Sequence, residues 1–198
     1  MKSIRLIYIV LLLIVAVIGC QSKETDAESV RIKPSRARGE ALGRTLLHLA
    51  PNRKVAERLI DEGANVNAQD SFGMTPLHTA VIAGRRNVAE ALVTHGADID
   101  AMSNRGQTPL FWAVTKNQKD MAKWLIKQGS DVNVKDNYGI TSLHSAAHAG
   151  SADLVQLLIA YDADMNIKDN EGRSPLDYAQ DLGHTEIVEL LHKHGAEE

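Results

Sequence analysis

The chain has 198 residues, of which 44% are hydrophobic, 24% are charged and one is cysteine, and its net charge is −3 at neutral pH. No basic stripe is available to neutralise phosphates, which argues against nucleic-acid binding, and a lone thiol excludes an internal disulfide framework. Removing residues 1–19 takes away Lys2 and Arg5 and makes the chain more negative still, which moves it further from a nucleic-acid partner.

The first residues speak of export rather than fold. Met1-Lys2-Ser3-Ile4-Arg5 is positive, and every residue from Leu6 to Ile18 is apolar. A bilayer span needs about 20 such residues, so this shorter run reads as a signal peptide over residues 1–19. Val17-Ile18-Gly19-Cys20 resembles a bacterial lipobox. That resemblance implies a lipid-modified Cys20 at the new N-terminus, with palmitate among its chains, and a membrane anchor. An uncleaved anchor with an incidental cysteine is the alternative, and both readings place the remainder outside the cytoplasm. Gln21 and Ser22 lack the aspartate associated with inner-membrane retention, which implies the outer membrane, facing the periplasm. Residues 20–41 are almost devoid of apolar side chains and are expected to form a disordered tether with a reach of roughly 25 Å. Lys33, Arg36 and Arg38 belong to that solvated linker.

From residue 42 the chain repeats itself. Thr75-Pro76-Leu77-His78, Thr108-Pro109-Leu110-Phe111, Thr141-Ser142-Leu143-His144 and Ser174-Pro175-Leu176-Asp177 follow one another at a constant interval, and Thr45-Leu46-Leu47-His48 precedes them at a slightly shorter one. A fixed period of this length signals stacked units, none of which buries its apolar face alone. In the second unit Gly73 supplies a turn, Thr75 caps a helix and Pro76 occupies its first position. Leu77, Ala80 and Val81 then recur at helical spacing, Gly84 stops the helix, and Val88, Ala89, Leu92 and Val93 predict a second helix ending at Gly96. The spacing predicts units at about 42–69, 70–102, 103–135, 136–168 and 169–198, the first shortened around Pro51.

Thr75-Pro76-Leu77-His78-Thr79-Ala80, with Gly63-Ala64-Asn65-Val66-Asn67 and the looser Gly96-Ala97-Asp98-Ile99-Asp100, resembles the ankyrin repeat. The resemblance covers residues 42–198 and implies an all-α solenoid of about five stacked helix-turn-helix units joined by β-hairpin-like loops. Phe111 and Asp177 depart from the motif's His, and Asp162 from its closing Gly. Gln180 stands where inner units carry Val81, Val114 and Ala147, which suits a last unit with water on its outer side.

Chemistry is harder to find. No phosphate-cradling glycine loop, HExxH helix or Gly-x-Ser-x-Gly elbow occurs. His48, His78 and His144 occupy the repeat motif, where the family resemblance implies hydrogen bonding between loops. His144 and His148 are four apart, yet no third ligand is placed beside them, so no metal site is expected. Asp70, Asp136 and Asp169 recur with the period, as turn geometry demands, whereas a catalytic pair would break it. Neither an enzyme, nor a cofactor, nor a small-molecule substrate is expected.

What does vary is the residue at each loop tip: Phe72 and Met74, Arg105 and Gln107, Tyr138 and Ile140, Glu171 and Arg173. Large apolar side chains are costly at exposed turns unless something covers them. By resemblance, these tips and the concave face of the short helices bind another protein, with the chain a monomer. Phe72, Met74, Arg105, Gln107, Tyr138 and Ile140 form the expected contact, extended by Trp112 and His148. Trp112 is equally suited to filling a gap between units, and each tip residue to covering by the next loop. An immunity-like inhibitor of an exported enzyme or toxin, and a passive envelope scaffold, are the alternative roles.

Overall fold

The structure is a computed structural model that describes residues 43–196. The leader at 1–19, Cys20 and the tether at 20–41 lie outside the described residues. A 3-10 turn, Leu46–Leu49, precedes α1 (Arg53–Asp61). Four helix pairs follow: α2 (Pro76–Ile82) with α3 (Arg86–Thr94), α4 (Pro109–Thr115) with α5 (Lys119–Lys127), α6 (Ser142–His148) with α7 (Ala152–Ile159), and α8 (Pro175–Asp181) with α9 (Thr185–Lys193). No strand occurs among the described residues. Nor is any described helix long and apolar enough to cross a membrane.

Each short helix starts where the sequence asks it to. Thr75, Thr108, Thr141 and Ser174 are extended caps, and Pro opens α2, α4 and α8. At α2 the cap is reciprocal. The Thr75 N–H donates to His78 Nδ1 at 3.1 Å, and the Thr75 hydroxyl lies 2.9 Å from the same nitrogen. Because a backbone N–H can only donate, Nδ1 is the acceptor and the ring proton sits on Nε2. The first unit differs, with a 3-10 turn in place of an α-helix. Pro51 has no N–H to return to Leu47, so the turn closes instead through Ala50 N–H to Leu47 O at 3.3 Å.

Two columns of leucine hold the pairs together. Leu77, Leu110, Leu143 and Leu176 on the short helices are at most 1% exposed, and Leu92, Leu125, Leu158 and Leu191 on the long ones are 0% exposed. Each such burial contributes about 1.5–3 kcal/mol before the entropy of ordering is subtracted. A third column runs Val81, Val114, Ala147 and Gln180; its first three members are buried, whereas Gln180 is exposed at the C-terminal edge.

The loops project beyond this core. At three of them an aspartate folds the tip: Asp70 Oδ1 accepts from the N–H groups of Phe72 and Met74, Asp136 Oδ1 from Tyr138 and Ile140, and Asp169 Oδ1 from Glu171 and Arg173, all at 2.9–3.0 Å. Ser103 Oγ does the same for Arg105 and Gln107 at the longer distances of 3.3 and 3.2 Å. Successive tips are then stitched together, since Asn104, Asn137 and Asn170 donate backbone N–H to the carbonyls of Phe72, Arg105 and Tyr138 at 2.9–3.0 Å.

Candidate functional site

The tip residues separate into those that reach solvent and those that do not. Phe72 is 56% exposed and Tyr138 is 63% exposed, although both are large aromatics. Arg105 is exposed between them and forms no ion pair among the described residues. Met74 corrects the expectation placed on it: at 7% exposure it belongs to the core. Its N–H bonds Asp70 and its carbonyl accepts from His48 Nε2 at 2.9 Å, which turns the side chain inward. Gln107 and Ile140 are half-buried, so each offers only part of its side chain.

The short helices add a second row. Trp112 is half-buried, edge-on to Phe111 with ring centroids 6.5 Å apart and packed against the core. Its indole Nε1 and the amide Oε1 of Gln107 are buried without a hydrogen-bond partner. The corresponding residues two units later are joined to one another, although Arg173 Nε too is buried without a hydrogen-bond partner. Arg173 lies 4.3 Å from the centre of the Tyr178 ring and donates to its hydroxyl at 2.6 Å, and that hydroxyl donates to Asp169 Oδ2 at 2.8 Å. Burial and the Asp169 carboxylate push the Tyr178 hydroxyl up to about 12. Asp169 is pulled upward by burial, but the N–H groups of Arg173 and Glu171 and the Tyr178 hydroxyl hold it below the ordinary carboxylate range. His148 is exposed, with its ring 5.8 Å from that of Tyr178. Tyr178 falls in repeat register with Trp112, but that register does not by itself announce its contacts with Arg173 and Asp169.

Beneath these rows the motif histidines are structural. His48, His78 and His144 donate through Nε2 to the carbonyls of Met74, Gln107 and Arg173 in the next loop at 2.9–3.1 Å. Burial holds all three below the usual imidazole range. With both nitrogens of His144 engaged, the His144/His148 pair has no free ring nitrogen to offer a metal from its first member. Among the described residues no group of three metal-ligating side chains converges. Phe111 carries no such bond, so the unit pair joined by α4 and α6 lacks the rung that its neighbours have. Trp124 is half-buried and packed against the core, with the Arg86 guanidinium 4.6 Å from its ring centre.

The sequence matches the family described as ankyrin repeats (3 copies) over residues 13–103, 46–136 and 128–198. A protein of Rickettsia bellii (strain RML369-C) described as an ankyrin repeat protein is 50% identical over 42 residues. That match covers 20% of this chain and 18% of the relative, so it speaks for a shared repeat rather than a shared whole.

Proposed function

The chain belongs to the ankyrin repeat family, and from that premise we propose that it is a non-enzymatic module that binds another protein through its loop tips and the face of its short helices. The observation that carries this reading is the pair Phe72 and Tyr138, 56% and 63% exposed at corresponding tips on either side of the exposed Arg105. Aromatic and arginine side chains dominate the energetic centres of interfaces. Gln107, Trp112, Ile140 and His148 extend the same surface. Buried polar chemistry offers no competing reading, because the buried carboxylates and imidazoles are committed to backbone groups in the loops.

The sequence of residues 1–20 supports an anchored form of this module. The apolar run and the lipobox-like Gly19-Cys20 favour a lipid on Cys20, and residues 20–41 then serve as a spacer between a bacterial membrane and the repeats. An outer-membrane position facing the periplasm is the placement that follows from Gln21 and Ser22.

The test is capture from envelope extracts by the full chain beside a Phe72→Ala/Tyr138→Ala variant. One stoichiometric protein, lost with the variant while its melting temperature is unchanged, is the expected result. A variant that no longer folds would return both aromatics to the core. Equal, non-specific recovery by both would leave a passive scaffold. In parallel, labelled palmitate should enter the wild type and not Cys20→Ala.

A further inference from the structure

The tips do not vary at random; they alternate with a period of two units. Phe72, Arg105, Tyr138 and Glu171 run aromatic, charged, aromatic, charged in successive units. Met74, Gln107, Ile140 and Arg173 run apolar, polar, apolar, polar in the same phase. On the short helices Thr79, Trp112, Ser145 and Tyr178 alternate small hydroxyl with large aromatic. The three alternations are linked in one unit by contact: where the helix residue is Tyr178, the long polar Arg173 lies on its ring and hydrogen-bonds its hydroxyl. Where the helix residue is small, at Thr79 and Ser145, an apolar Met74 or Ile140 takes the place of the polar chain.

From this alternation, together with the exposure of Phe72 and Tyr138 about an Arg105 that forms no ion pair, we propose that the surface reads a polyproline-II segment of a partner protein carrying an apolar residue, an acidic residue three positions on, and a second apolar residue three beyond that. The proposal rests on the protein-binding reading above and specifies its ligand. The argument is one of pitch. Neighbouring helices pack about 8–10 Å apart, so successive tips repeat at that distance and Phe72 and Tyr138 stand roughly 16–20 Å from one another. A polyproline-II strand has three residues per turn and rises about 3.1 Å per residue. Positions i, i+3 and i+6 therefore share one face and fall about 9 Å apart, in step with the tips. A flat β-strand fails this condition, because i and i+3 point to opposite faces. Charge sets the middle position. Arg105 and Lys116, both exposed on the third unit, have no carboxylate partner among the described residues, and Oδ1 of Asp136 in the next loop accepts from the N–H groups of Tyr138 and Ile140. Glu171, the next charged tip, is already paired with Arg173 at 3.2 Å and carries no part of the proposal.

The experiment uses the repeat-bearing full chain and two kinds of probe. The first is a fluorescent proline-rich peptide with Leu, Glu and Leu at i, i+3 and i+6, compared by anisotropy with a version spaced i, i+4, i+8 and with one bearing Lys for Glu. Binding of the first probe, weakened roughly tenfold by the altered spacing and by Lys, is expected. Phe72→Ser and Tyr138→Ser should each weaken it by a similar factor at unchanged melting temperature, and Arg105→Glu should reverse the preference between Glu and Lys. Equal affinity for both spacings, or no affinity for either, overturns the proposal. The second probe, a displayed library of random twelve-residue peptides, separates the two levels of the reading. Binders that depend on Phe72 and Tyr138 but lack the three-residue spacing sink the polyproline-II assignment and preserve the binding surface. Absence of any binder sensitive to those two residues sinks both.

Discussion

At the scale of single residues, backbone conformation separates positions that look alike in the sequence. Asp162 replaces the glycine that closes the other units, and it holds that glycine's left-handed backbone with φ of 62°. A side chain with a Cβ is strained there, so Asp162→Gly should stabilise the fold by about 0.5–1 kcal/mol, read as a higher denaturant midpoint. Gly106 is the opposite case. Its φ is 77°, and a Cβ built on it would stand 2.9 Å from the backbone nitrogen of Asn137. Gly106→Ala should therefore cost more than about 1 kcal/mol, because the strain adds to a clash with the adjoining loop. The buried histidines act at this scale too. Burial lowers the pKa of His48, His78 and His144 from 6.5, so the unfolded chain takes up protons that the folded one refuses. Stability from these rings is fully present above pH 6.5 and is lost as pH falls through the lowered folded values. Melting temperature should decline from about pH 7 to about pH 5, well before the carboxylates titrate.

At the scale of elements, the short helix and its loop form a unit of exchange between neighbours. His78 caps its own helix through Nδ1 and fastens the next loop through Nε2, and it is 0% exposed. His78→Phe copies the residue that the third unit carries at Phe111, so the shape is one the fold accepts elsewhere. It should cost about 1–3 kcal/mol, since the Thr75 N–H and Gln107 carbonyl lose a buried partner. The pH dependence of melting should become shallower in the same variant, which a merely steric defect would not produce. Much of this element was legible in advance: the Thr-Pro-Leu-His run placed the caps, the proline and the buried leucine. In the first unit the irregularity around Pro51 was legible but the 3-10 turn was not, because Pro51 acts through a missing donor and Leu46-Leu47 still reads as helical. Met74 misled for a related reason. A position beside a glycine turn suggests exposure, whereas the Asp70 carboxylate and His48 ring fix its backbone so that the side chain faces the core.

At the scale of the whole molecule, stability is distributed over nearest-neighbour contacts, and the two ends must be finished differently from the middle. Gln180 does this at the C-terminal side, exposed where Val81, Val114 and Ala147 are at most 1% exposed. Gln180→Val should leave the melting temperature nearly unchanged and promote self-association, visible as concentration-dependent elution in size-exclusion chromatography. The tips obey another rule. Asn104, Asn137 and Asn170 grip the preceding tips by their main-chain carbonyls, and Asp70, Ser103 and Asp136 fold those tips through main-chain N–H groups. The side chains of Phe72, Arg105 and Tyr138 take no part in either bond. Folding and recognition thus draw on different atoms of the same residue, so a lineage can rewrite what this surface binds, one tip at a time, without renegotiating how the chain stands up.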